Sequence, residues 1–95
     1  MKLVEAISDG DPLLASLAAD ALVAIGGPAV PYLLEVMGNG SHSARLHAVR
    51  ALALIGDDRA IPALFAALDQ YSAVMQYWAE QGLERMGVGM VFFKP

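Results

Sequence analysis

The fold is decided by residues 51–68, ALALIGDDRAIPALFAAL, in which two apolar stretches flank a Gly-Asp-Asp turn. Residues 21–37, ALVAIGGPAVPYLLEVM, carry nearly the same pattern earlier in the chain. In both stretches apolar residues recur at intervals of three and four, which is the spacing of one face of an α-helix. The repetition therefore predicts equivalent helical units that form a core by stacking, because one such unit cannot bury both of its apolar faces.

Three long helices are predicted from start and stop signals that recur in register. Each follows a residue whose side chain can cap the free amides of a first turn, namely Asp11, Ser41 and Ser72. Each ends near a glycine that tolerates left-handed backbone, namely Gly26, Gly56 and Gly87. Between these signals the same small residue recurs at Ala18, Ala48 and Ala79. We expect these three alanines at equivalent depths in one continuous core.

A shorter helix is predicted before each long one. Pro31 and Pro62 occupy equivalent first-turn positions, where a missing amide does no harm. The chain thus reads as one domain over residues 1–95, with repeat units at roughly 1–26, 27–56 and 57–87 and an apolar C-terminal tail at 88–95.

Residues 48–68 also resemble a known repeat family. Ala51, Leu52, Ile55, Gly56 and Pro62 match the pattern of the HEAT-like repeats called PBS-lyase or E-Z type. The resemblance implies an all-α fold, a short right-handed α-solenoid (an α-α superhelix) of about three HEAT-like helix pairs. It also implies long helices on the concave side and short helices on the convex side. HEAT repeats often carry an Asp and an Arg six residues apart that form a ladder, whereas the second unit here holds Asn39 and Arg45.

Composition excludes several classes of function. The chain is 57% hydrophobic and 17% charged, against a usual charged share of about 25%, so we expect some apolar surface to contact another molecule. The net charge of −4 argues against a nucleic-acid partner, and no apolar run reaches the roughly 20 residues of a membrane span. With no cysteine, disulfides and thiolate metal sites are excluded. We expect a cytoplasmic protein without a membrane partner.

The concave face of the second and third long helices is the predicted binding surface. Six residues form this inner-face patch: Leu46, His47, Arg50, Tyr77, Trp78 and Gln81. Tyr, Trp and Arg are the residue types that most often anchor interfaces. Two alternatives stay open, since Trp78 can pack between neighbouring repeats and Arg50 can pair with Asp20 or Glu80 on an adjacent helix.

The apolar tail is a second candidate contact. Met90, Val91, Phe92 and Phe93 either fold back over Leu83 and Met86 or dock on a second molecule. Docking would give a homodimer through the tail or through the ends of the solenoid.

No catalytic, cofactor-binding or metal-ligating residues are expected. His42 and His47 lie five residues apart, whereas ligands that share a metal on a helix are usually three or four apart. Our main hypothesis is a non-catalytic scaffold that binds a protein partner through its concave face. The resemblance offers an alternative, a lyase-like or chaperone-like accessory subunit that holds an apolar ligand such as a bilin. A self-associating structural module is the third hypothesis.

Overall fold

The computed structural model describes residues 2–8, 10–70 and 72–88, and all regular secondary structure in these residues is helical. The helices are α1 (Lys2–Ala6), α2 (Pro12–Ile25), α3 (Val30–Asn39), α4 (His42–Ile55), α5 (Ile61–Ala67) and α6 (Ala73–Arg85). Single turns of 3₁₀ helix at Gly27–Ala29 and Asp58–Ala60 lead into α3 and α5. The predicted all-α solenoid is confirmed, and the predicted tail residues Met90, Val91, Phe92 and Phe93 lie outside the described residues.

The predicted caps begin the three long helices. The Asp11 carboxylate accepts hydrogen bonds from the backbone N–H groups of Leu13 and Leu14. Ser41 and Ser72 accept the equivalent bond from the residue three positions later, at 3.2 and 3.3 Å. Near the other ends a glycine adopts a positive φ, of 78° at Gly26, 72° at Gly56 and 83° at Gly87. Local signals in the sequence therefore fix where each long helix begins and ends.

The long helices lie side by side, and each carries one short helix. Helix α4 packs between α2 and α6, while α1, α3 and α5 pack against α2, α4 and α6 respectively. We call the surface of the short helices the outer side, and the surface of the long helices that is turned away from them the inner face. The overall dimensions are 43 × 27 × 20 Å.

One buried seam runs through all three long helices. Ala18, Ala48 and Ala79 are at most 4% exposed, which confirms that they lie at equivalent depths. Gly82 in α6 lies so close to α4 that an added Cβ would be 2.9 Å from Ala53 Cα. Small residues thus allow the long helices to approach each other closely.

The equivalence of the units breaks at the first long helix. Leu14 is 44% exposed, although its counterparts Ala44 and Met75 are fully buried. The physical reason is that α2 has a long helix on one side only, so Leu14 and Ile25 on its other side meet no neighbouring repeat within the described residues.

An arginine links the turns of successive units. The Arg59 guanidinium donates to the carbonyl oxygen of Gly27 and to the carboxylate of Asp57, each at 2.9 Å. The Asp57 side chain also accepts from the backbone N–H of Arg59. These hydrogen bonds, first those from the guanidinium and then that from the backbone, lower the pKa of Asp57 to about 2.

Candidate functional site

The inner face is built from residues that repeat at intervals of four and three along each long helix. Positions i, i+4 and i+7 lie on one helical face. In α2 these positions hold Leu13, Leu17 and Asp20, and in α4 they hold Ser43, His47 and Arg50. In α6 they hold Val74, Trp78 and Gln81.

Arg50 joins two long helices across this face. Its Nη1 lies 2.8 Å from Asp20 Oδ1, and its Nη2 donates to the carbonyl oxygen of Ser16 at 3.3 Å. Of the two predicted alternatives for its acid partner, Asp20 is therefore the one the structure contains. The Arg50 side chain is 20% exposed and that of Asp20 is 59% exposed, so the inner face carries a cation that is mostly covered beside an accessible carboxylate.

His47 lies beside this pair and is partly buried. Burial lowers its pKa, and the positive charge of Arg50 lowers it further. The imidazole is therefore mostly neutral near pH 7, and in that form one ring nitrogen can donate a hydrogen bond while the other can accept one.

Two aromatic rings form the far edge of the patch. The ring centroids of Tyr77 and Trp78 are 5.2 Å apart and their planes meet at 81°, an edge-to-face contact. Tyr77 is 53% exposed, while Trp78 is partly buried against the core. Trp78 thus packs against the core while part of its side chain stays exposed.

The other predicted residues contribute less surface. Leu46 packs against the core and is only partly exposed, and Gln81 is also partly buried. The role of the inner-face patch in binding stays a prediction.

Exposed apolar side chains flank this face and were not among the predicted site residues. Leu13, Leu17 and Val74 are 68%, 57% and 55% exposed. Their signal was in the sequence, because Leu13 and Val74 lie seven residues before Asp20 and Gln81 on the same helical face. The inner face therefore has apolar ends and a polar, ion-paired middle.

Two clefts on the outer side were not foreseen either. One of about 450 Å³ lies between α1 and α3 and is lined in part by Glu5, Tyr32 and Glu35. The second, of about 270 Å³, lies between α3 and α5, with Arg45 and Met75 among its lining residues.

The described residues contain no cluster of three His, Cys, Asp or Glu side chains that could hold a metal ion. Across the same residues, every helix is too short or too polar to cross a bilayer.

The sequence of this chain is similar to those of several known proteins. The chain is 38% identical over 85 residues to the phycocyanobilin lyase subunit beta of Pseudanabaena tenuis (strain PCC 7409), an alignment covering 88% of this chain and 30% of the relative. It is 34% identical over 85 residues to the phycobilisome maturation protein of Synechococcus elongatus, covering 88% of this chain and 41% of the relative. The bilin biosynthesis protein RpcF of Synechococcus sp. (strain WH8020) is 38% identical over 66 residues, which are 70% of this chain and 32% of that protein. The chain thus spans about a third of the length of these curated relatives.

These relatives correct our main functional hypothesis. All three are named for work on bilins or on the phycobilisome. The hypothesis of a non-catalytic scaffold that binds a protein partner through its concave face is therefore wrong, and the alternative of a lyase-like accessory subunit agrees better with the relatives' names. Tyr, Trp and Arg are residue types that suit either a protein partner or a planar acidic ligand, so their presence on the inner face does not distinguish the two hypotheses.

The relatives also confirm the predicted resemblance to PBS-lyase repeats. A family model for HEAT repeats matches residues 1–84, and the chain belongs to that family.

Proposed function

We propose that this chain is a lyase-like accessory subunit that holds a bilin, an open-chain tetrapyrrole, on the inner face of its long helices. The observation that carries the proposal is the 38% identity to a phycocyanobilin lyase subunit over 88% of this chain. The geometry of the inner face adds physical support, and on that basis we propose roles for particular residues.

Aromatic and apolar side chains would bind the conjugated rings. Trp78 and Tyr77 lie together at one end of the face, and Leu13 and Leu17 are exposed at the other. A flat pyrrole ring gains about 0.5–1.5 kcal/mol from an aromatic contact beyond the area it buries. We assign Trp78 the main ring contact, since its partial burial holds it in one orientation and reduces the entropy lost on binding.

Arg50 and His47 would bind the polar groups of the bilin. A bilin carries propionate side chains, and a guanidinium binds a carboxylate through paired hydrogen bonds. Such a propionate would compete with Asp20, which now accepts from Arg50 at 2.8 Å. Neutral His47 would accept a hydrogen bond from a pyrrole N–H, which a protonated imidazole could not do.

A protein partner belongs to this proposal. The relative that is named a subunit implies a second protein, and this chain spans only 30% of that relative. Leu14 and Ile25, which meet no neighbouring repeat within the described residues, offer a partner an apolar surface on the free side of α2. A second copy of the chain is one such partner, and sedimentation at several concentrations would detect it as a rising mass.

The test is an absorbance titration of phycocyanobilin with three proteins: the unaltered chain, Trp78→Ala and Tyr32→Ala. Tyr32 is the matched control, because it is 45% exposed on the short helix α3, away from the inner face. We expect saturable binding that Trp78→Ala weakens about 10- to 30-fold, which is the cost of removing an aromatic anchor worth about 1.4–2 kcal/mol. Tyr32→Ala should bind as the unaltered chain does. Equal binding by the two variants would place the bilin elsewhere, and absence of saturation would reject the proposal.

A further inference from the structure

The cleft between α3 and α5 is mostly apolar, and the polar side chains that line it are those of Arg45 and Gln70. Its volume is about 270 Å³, and its walls include Leu34, Met37, Ala63, Ala66 and Met75. The alanines of α5 leave the space open, since each stops at Cβ. Arg45 reaches the cleft from the long helix α4.

The guanidinium of Arg45 is incompletely hydrogen-bonded within the described residues. Its Nε is buried without any hydrogen-bond acceptor. The ion pairs of the described residues involve Arg50 and Arg59, and none reaches Arg45. Six residues earlier in the chain stands Asn39, an amide that cannot balance a charge. A cation that has lost water on one side and gained no acceptor is destabilised, and an anion nearby relieves that cost.

We propose that this cleft binds a small carboxylate with an apolar chain. The carboxylate lies against the accessible nitrogens of Arg45, and the chain lies between α3 and α5 along Met37 and Ala66. The cleft volume equals that of about nine molecules of liquid water. Such a space suits a medium-chain acid such as octanoate and is far too small for a whole tetrapyrrole. The cleft is therefore a second site, independent of the inner face.

The experiment titrates octanoate into the chain and follows heat together with the methyl NMR signals of Met37 and Met75. Octanol is the uncharged ligand control. Arg45→Gln removes the cation, and Ala66→Leu fills the cleft but keeps the charge. Arg85→Gln is the matched control, because it removes an exposed arginine at the end of α6, outside the cleft lining. Circular dichroism of each variant confirms that it is folded.

We expect octanoate to bind with a Kd below about 1 mM and to shift both methyl signals. Arg45→Gln should weaken binding at least about tenfold, as loss of a charge-assisted contact does. Ala66→Leu should abolish it, Arg85→Gln should leave it unchanged, and octanol should bind more weakly than octanoate. The proposal is overturned if octanol binds as tightly as octanoate, if Arg45→Gln matches Arg85→Gln, or if the Met37 and Met75 signals stay fixed. Absence of saturation up to about 10 mM overturns it as well.

Discussion

The buried seam of the long helices and their inner face follow the same repeat but vary differently. Along the seam the units hold nearly the same residue, as at Leu22, Leu52 and Leu83, all at most 2% exposed. On the inner face the equivalent positions hold Leu17, His47 and Trp78, then Asp20, Arg50 and Gln81. Leu22, Leu52 and Leu83 all pack into the same core cluster, so packing favours the same residue at this position in each unit. An inner-face position is free of that requirement and can differ from unit to unit.

If this distinction is right, a seam leucine and an inner-face leucine of the same helix should differ most in their effect on stability. Leu52→Ala removes a fully buried side chain and should lower the free energy of unfolding by about 2–5 kcal/mol. Leu54 lies on the inner face, four residues after Arg50 and seven after His47, and is only partly buried, so Leu54→Ala should cost under about 1 kcal/mol. Urea denaturation of both variants makes the comparison, and similar losses would show that the inner face is part of the core.

Glycine provides the next contrast. Gly82→Ala places a Cβ 2.9 Å from Ala53 Cα and from Leu64 Cδ1, so we expect a net loss of about 1–3 kcal/mol despite the better helix propensity of alanine. Gly38→Ala in α3 meets nothing within 4 Å and should raise the free energy of unfolding by up to about 1 kcal/mol. Thermal melts followed by circular dichroism test whether Gly82→Ala destabilises the fold and Gly38→Ala stabilises it. A stabilising Gly82→Ala would mean that α4 and α6 are farther apart than described.

Two arginines of α4 should respond to the same substitution in opposite directions. Arg45→Met replaces a cation whose Nε is buried without an acceptor, so the free energy of unfolding should rise by about 1 kcal/mol. Arg50→Met breaks the contacts with Asp20 and Ser16 and should lower it by about 0.5–1 kcal/mol. Urea denaturation of each variant measures the two changes. A destabilising Arg45→Met would indicate that Arg45 has a structural partner.

The smallest expected effect concerns His47. Its pKa lies below the ordinary value of 6.5, because burial and then Arg50 disfavour the imidazolium. Below pH 6.5 the unfolded chain binds this proton more readily than the folded chain does, so His47 lowers stability as the pH falls through that value. NMR titration of the ring measures the pKa, and His47→Gln should remove this part of the pH dependence. A titration midpoint above 6.5 would contradict the described surroundings of His47.

Much of the fold was predictable because its determinants are local and repeated. The caps at Ser41 and Ser72, the glycines that follow, and the period of the apolar residues each specify a helix without reference to distant residues. The exposure of Leu14 was not predictable from its equivalence with Ala44 and Met75. It depends on whether a neighbouring helix is present and not on the residue itself.

The candidate site was predictable only in part. The i, i+4, i+7 spacing places His47, Arg50, Trp78 and Gln81 on one face, but it does not say that Arg50 bridges to Asp20. The cleft at Arg45 is a gap between α3 and α5, and gaps of this kind depend on how far apart two helices pack. The class of ligand could not be predicted from these residues alone, because an aromatic and cationic surface suits several kinds of ligand.

The most direct test of the central claim uses the single tryptophan of the chain, which is Trp78. Its fluorescence should be quenched as phycocyanobilin is added, saturating with the same Kd as the change in bilin absorbance, because the ring and the bilin would be in contact. Bilin absorbance that saturates while Trp78 emission stays constant would contradict a bilin site on the inner face.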